Sequence, residues 1–247
     1  MVTAIRVDSE PAFVLHARPY RETSQLVDMF TRHYGRLRVV ARGFRRQKTG
    51  SRVLEPFVPL IASWTGKGDL KTLVVAEPSG RPLTLRGDYL YSGFYLNELI
   101  LRLLADHDPH DALFDHYLET IASMSEEGQI EPALRRFERI LLDEVGYGLA
   151  LGHTAEEGVE LSPEEWYWFD PISGVSTRLS SAIEKSQPNW FLGSELLAVE
   201  AGSYDDPQVA RAAKRLMRLA IQHLLGDKPL SSRALFVRRT PSQQEQP

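Results

Sequence analysis

Pro78-Ser79-Gly80-Arg81-Pro82 marks the point at which the hydrophobic period of this 247-residue chain changes. Two prolines and a glycine in five residues break any regular structure. Upstream, short apolar or alternating runs at 12–16, 25–30, 37–41, 57–64 and 70–76 read as strands. Gly66-Lys67-Gly68-Asp69 supplies a hairpin between the last two, and Tyr34-Gly35 a tight turn before the third. Five short strands with one long loop after the third predict an OB-like β-barrel over residues 1–80, an architecture whose sheet face and loops bind single strands.

Downstream the period becomes helical. After Gly87-Asp88, the residues Leu90, Tyr91, Phe94, Tyr95, Leu96, Leu99, Ile100, Leu103 and Leu104 surround a helix almost completely, which predicts a central, buried element. Residues 111–123 carry Leu113, Phe114, Tyr117, Leu118 and Ile121 on one face. Pro132 opens a third helix that buries Leu134, Phe137, Leu141 and Val145 before Gly146. A fourth runs from Pro207 to Leu225, with Val209, Ala213, Leu216, Ala220 and Leu224 inward and Arg211, Lys214, Arg215 and Arg218 outward, and stops at Gly226. The expected fold is therefore α+β and multidomain, with a helical bundle domain over 81–237. Between about 147 and 190 the period disappears around Trp166-Tyr167-Trp168-Phe169, which predicts an irregular insertion containing a β-hairpin. The four aromatics could stack on bases or pack the hairpin onto the helices. The tail at 238–247, rich in Gln and Pro, reads as disordered.

Charge adds a functional direction. Between Arg18 and Arg52 ten cations face two acids, Glu22 and Asp28, in a chain whose net charge is −4. Five of the ten, Arg42, Arg45, Arg46, Lys48 and Arg52, fall in the long loop after the third strand. A cationic stretch in an acidic chain implies a polyanionic partner, or else a solvated turn that keeps a sheet edge soluble. The candidate nucleic-acid contacts are Arg36, Arg38, Arg42, Arg45, Arg46, Lys48 and Arg52. The absence of a signal sequence and of any apolar run near 18 residues predicts a cytoplasmic protein with no membrane association.

Catalytic patterns are missing. The chain has no G-x-S-x-G, no phosphate-binding G-x-x-x-x-G-K-[ST] and no G-x-G-x-x-G, and without cysteine it has no thiol nucleophile, disulfide or cysteine-based zinc site. Asp106-His107-Asp108-Pro109-His110-Asp111, with His116 beyond, could bring two imidazoles and a carboxylate together, but Asp and Pro at a helix break serve as stop and cap. No metal or cofactor is expected. Arg135 and Arg139 lie four apart on the third helix beside Leu134, so their like charges repel unless an anion sits between them. An arginine rim on an apolar floor suits a peptide ending in carboxylates; ion pairing to Glu131, Glu138 or Asp143 would satisfy the same arginines.

Several motifs, in order along the chain, resemble one family. They are Phe13-Val14-Leu15-His16-x-Arg18-Pro19-Tyr20-x-Glu22-Thr23-Ser24, Gly35-Arg36-x-Arg38-x-Val40-Ala41-Arg42-Gly43, and Tyr91-Ser92-Gly93-x-Tyr95-x-Asn97-Glu98-Leu99. Pro132-Ala133-Leu134-Arg135-Arg136-Phe137-Glu138, Gly146-Tyr147-Gly148 and Lys228-Pro229-Leu230-x-Ser232-Arg233-x-Leu235-Phe236 continue the series. The set resembles the bacterial recombination mediators of the RecO family. That resemblance implies an N-terminal OB-fold and a helical domain. It also implies binding to single- and double-stranded DNA, annealing of complementary strands, and loading of RecA on gapped DNA together with RecR and single-stranded-DNA-binding protein (SSB). It further implies that the acidic, apolar C-terminal tail of SSB binds at the helix bearing Arg135; Arg139 joins that candidate pocket from helical spacing and Leu134 from the apolar face beside the arginines. Many members carry a four-cysteine zinc site in the irregular part of the second domain, and this cysteine-free chain departs from them. Three classes stay in view: a non-catalytic DNA-repair mediator found in the cytoplasm and at the nucleoid during repair, an OB-fold RNA-binding protein, and a metal-dependent hydrolase.

Overall fold

A computed structural model describes residues 5–43, 53–177 and 187–237. Five strands, β1 (Ile5–Tyr20), β2 (Ser24–Thr31), β3 (Gly35–Ala41), β4 (Leu60–Gly66) and β5 (Leu70–Pro78), close into a barrel in the order β1-β2-β3-β5-β4. All neighbours are antiparallel except β3 and β5. The expected OB-like barrel is present. Its interior is the set of alternate positions that alternation predicts, among them Val14, Val27, Met29, Leu37, Val39, Ala62, Trp64 and Leu73.

One strand is much longer than its apolar run. β1 pairs with β4 through its first half and with β2 through its second, and irregularities between Val7 and Glu10 and between Val14 and His16 bend it from one partner to the other. β4 is shorter than expected. Phe57 adopts φ 67°, and Pro59 has no amide hydrogen to give a ladder, so regular pairing starts at Leu60.

Helices α1 (Asp88–Leu103) and α2 (Asp111–Ser125) follow. α1 is buried on one face, through Ser92, Gly93, Leu96, Asn97, Leu99 and Ile100, while Tyr91, Phe94 and Tyr95 are half-buried. This corrects the expectation of a helix buried all round; aromatic residues at a helix margin extend the apolar arc without full burial. The chain divides into two compact units, the first holding residues up to Gly128 and again from Pro229, the second Gln129–Lys228. The units thus part further along than the change of period at residue 80: α1 and α2 belong with the barrel.

The second unit contains α3 (Ile130–Glu144), a small sheet of β6 (Trp166–Asp170), β7 (Gly174–Ser176) and β8 (Trp190–Leu192), then α4 (Gly193–Glu200) and α5 (Pro207–Leu225). The β6–β7 hairpin is the expected one. The Asp170 carboxylate accepts from the amides of Ile172 and Ser173, both at 2.9 Å, and Gly174 takes φ 78°. β8 adds a third strand in the order β7-β6-β8. α5 starts where Asp206 accepts from the amides of Gln208 and Val209 and ends at Gly226 with φ 62°. α4 escapes the sequence reading because eight residues of mixed character carry too little periodicity.

The chain re-enters the first unit through a short helix, α6 (Arg233–Val237). Glu98 on α1 accepts from the amides of Ser231 and Ser232, each at 2.8 Å, and Arg102 donates to the Pro229 carbonyl at 2.9 Å.

Candidate nucleic-acid interface

The outer face of β1, β2 and β3 has two halves. Nearer the β2–β3 turn, Phe13 and Phe30 point outward and meet Phe114 and Tyr117 of α2, with ring centroids between 5.0 and 6.1 Å apart. The bulge at Leu15 leaves a carbonyl outside the ladder, and Asn97 of α1 donates to it at 3.0 Å while accepting from the Tyr117 hydroxyl at 2.7 Å. Burial pushes the Tyr117 phenol far above its ordinary pKa, so it stays a donor. Arg32 pairs with Asp115 at 2.6 Å. The turn itself is pressed against the α1–α2 loop: the His107 amide donates to the Arg36 carbonyl at 2.8 Å, and a Cβ on Gly35 would collide with the backbone of Asp108. This half of the face is closed to ligands.

The other half is open and cationic. Cross-strand register sets His16 beside Asp28 and Asp28 beside Arg38, and in the next outward row Arg18 beside Leu26 and Leu26 beside Val40. Leu26 and Val40 are nearly buried, whereas Arg18 is exposed and has no ionic partner among the described residues. The Arg38 guanidinium is 46% exposed and its Nε donates to Asp28 Oδ1 at 2.6 Å. Arg42, exposed, continues from the end of β3 into the basic loop.

Of the residues grouped by sequence, Arg38 and Arg42 therefore lie on this open half. Arg36 sits one outward row nearer the turn; its Nε donates to the Leu104 carbonyl at 3.2 Å and its Nη2 pairs with Asp106 at 2.9 Å. Those bonds commit it to holding the α1–α2 loop. Arg45, Arg46, Lys48 and Arg52 lie outside the described residues. Arg18 is not among the sequence candidates, and strand register alone places it in the outward row next to that of Arg38.

On α3, Leu134 and Arg135 are buried, Arg135 being 5% exposed. Its Nη1 lies 2.7 Å from Glu138 and its Nη2 3.7 Å from Glu131, while its Nε has no hydrogen-bond partner. Arg139 donates through Nη2 to the Leu149 carbonyl at 3.0 Å and to Glu200 at 3.1 Å; its Nε lies 3.8 Å from Asp143, and neither Nε nor Nη1 has a hydrogen-bond partner. The like-charge conflict expected between the two arginines is relieved by these carboxylates. Burial raises the pKa of the Tyr204 phenol and Arg139 pulls it the other way. Burial also raises the Asp143 carboxyl, against the pull of Arg139.

His107 occupies a turn at φ 63°, and His110 is buried with Nε2 3.5 Å from Asp108. Among the described residues no group of three His, Cys, Asp or Glu is arranged to hold a metal. Of the four adjacent aromatics, Tyr167 and Phe169 are buried and Trp166 is exposed. No helix among the described residues is long and apolar enough to cross a membrane.

A closed five-stranded barrel with a cationic open face, joined to a helical unit with a small hairpin sheet, defines an OB-fold protein of the DNA-binding class. The family model described as Recombination protein O N terminal matches residues 6–81, and that described as Recombination protein O C terminal matches residues 85–234. A protein named DNA repair protein RecO from Marinobacter nauticus is 42% identical over 240 residues, 96% of each chain. Proteins of that name from Haemophilus influenzae and Pseudomonas aeruginosa are 45% and 44% identical, covering 91% and 95% of this chain and 93% and 97% of their own. The chain belongs to the RecO family of DNA repair proteins.

Proposed function

We propose that this protein lays single-stranded DNA across the open half of the barrel face, along Arg18, Arg38 and Arg42 and on into the basic loop, and anneals complementary strands there without covalent catalysis. The carrying observation is the division of one sheet face: aromatic residues and α2 close one half, and the remaining half offers cations over two nearly buried aliphatic residues. Cations that neutralise phosphates lower the repulsion between two strands. In this proposal the barrel over 1–80 carries DNA, the region 81–237 receives partners, and the protein works in the cytoplasm with RecR to help RecA onto SSB-coated DNA.

The SSB tail would bind at α3. Supporting that reading are three buried guanidinium nitrogens without hydrogen-bond partners, Arg135 Nε, Arg139 Nε and Arg139 Nη1, beside Leu134. Donors left unpaired at low exposure favour an arriving carboxylate. Arg135→Ala should weaken binding of a fluorescent tail peptide about 10–150-fold, from a lost charge-assisted bond of about 1.5–3 kcal/mol, and leave affinity for naked single strands intact. Annealing of bare strands should persist while annealing of SSB-coated strands fails. Equal peptide affinities for variant and wild type would place the tail elsewhere.

A further inference from the structure

Lys71 stands at an inward-facing position of the barrel. It pairs in register with Val39 and lies two residues from Leu73, both core residues, yet it is a lysine only 9% exposed with no partner among the described residues. Lysine at such burial is ordinarily paired with a carboxylate. Its stem passes over Gly66, where an added Cβ would lie 3.2 Å from Lys71 Cα and 3.5 Å from its Cδ. A long stem of this kind keeps its ammonium toward the rim.

The rim at that end carries an aromatic. Tyr34, in the β2–β3 turn, is 41% exposed, and its ring meets the buried Trp64 edge-on at 5.4 Å and 88°. Trp64 pairs with Leu73, so Lys71 is its diagonal neighbour across β4 and β5 on the inward face. An exposed ring and the position of Lys71 therefore flank the same indole. Lys67, exposed on the β4–β5 hairpin, adds a second cation without a partner among the described residues. Loops between these strands are common binding elements of OB-folds.

We infer that this barrel end, at Tyr34, Trp64 and Lys71, is a second binding site that takes one nucleotide unit of a single strand, its base on the Tyr34 ring and its phosphate on the Lys71 ammonium. A π face and a cation are the two elements that sequence-tolerant nucleotide capture needs. The inference rests on the nucleic-acid reading above but lies at the mouth of the barrel, away from the outward rows of Arg18 and Arg38.

Equilibrium dialysis of the full chain with dAMP, deoxyadenosine and inorganic phosphate tests it. Wild type should hold dAMP about tenfold more tightly than deoxyadenosine, the worth of one charge-assisted contact. Lys71→Met keeps the apolar stem and should erase that difference at an unchanged or higher melting temperature; Lys71→Gln provides a polar check. Tyr34→Leu should weaken dAMP and deoxyadenosine alike, by about tenfold. Wild-type affinity for dAMP in Lys71→Met overturns the site, and phosphate bound as well as dAMP overturns its assignment to a nucleotide. The double variant Arg18→Ala, Arg42→Ala should leave dAMP binding untouched. If it also leaves oligonucleotide binding untouched, the outer-face path fails and the mouth stands or falls by Lys71 alone.

Discussion

The two halves of the outer barrel face are built on the same three strands and do opposite things. Phe13 and Phe30 receive α2, whereas one outward row along, His16 and Arg38 face solvent on either side of the buried Asp28. β2 makes the difference visible, because its residues Leu26, Val27, Met29 and Phe30 are buried on both faces and Asp28 alone breaks the run with a charge. An apolar run without alternation signals a strand covered on both sides. At the charged interruption the cover changes from the rings of α2 to the side chains of His16 and Arg38.

If the closed half is structural, its loss should be felt in stability alone. Phe30→Ala removes a ring packed against Phe114 and Tyr117 and should cost about 3–5 kcal/mol in denaturant unfolding. Its salt dependence of DNA binding should match wild type; a flattened slope would mean that this half also guides DNA.

Arg38→Ala tests the border between the halves. It strips the 2.6 Å partner from Asp28, a carboxylate nearly buried on β2, so it should destabilise by about 1–3 kcal/mol and weaken DNA binding as well. No change in stability would show that His16, 4.0 Å from Asp28, suffices to hold that charge.

The double variant Arg18→Ala, Arg42→Ala touches only the open half. Stability should move by less than about 0.5 kcal/mol, while the slope of log affinity against log salt should flatten by about 1.4, at about 0.7 per single-strand phosphate contact. An unaltered slope would reduce these arginines to solubilising charges on a sheet.

The smallest effect concerns α1, whose Asn97 serves the closed half while its neighbour Glu98 holds the returning chain. Burial pushes the Glu98 carboxyl up, but hydrogen bonds from Ser232 and Ser231, with Arg102 nearby, hold it below its ordinary pKa. A depressed carboxylate contributes its stability above the unfolded pKa and loses it as pH falls through the folded one. Glu98→Gln should therefore be slightly less stable than wild type near pH 7 and converge with it in acid. A gap that persists below the carboxylate range would assign the effect to packing.

Much of this was legible in the sequence. The five strands, the hairpin at Trp166, and α5 from Pro207 to Leu225 follow from period and capping residues, since those depend on neighbours close in the chain. Pairings between distant residues do not. That Arg36 would be held by Leu104 and Asp106, that Arg139 would meet Glu200, and that Arg18 would fall in the outward row next to that of Arg38 all depend on contacts tens of residues apart or on a bulge that shifts register. Spacing could group cations, but it could not say which were already bound.

The return of the chain at Pro229 also sets an order of assembly. The first compact unit includes residues that follow the whole of the second, and Leu230 and Ser232 are buried within it. On the ribosome, the barrel and its two helices emerge well before the segment that Glu98 fastens, so the N-terminal unit is the last to be finished. A nascent chain halted after Lys228 would hold every residue of the second unit and still leave α1 without its closing strap.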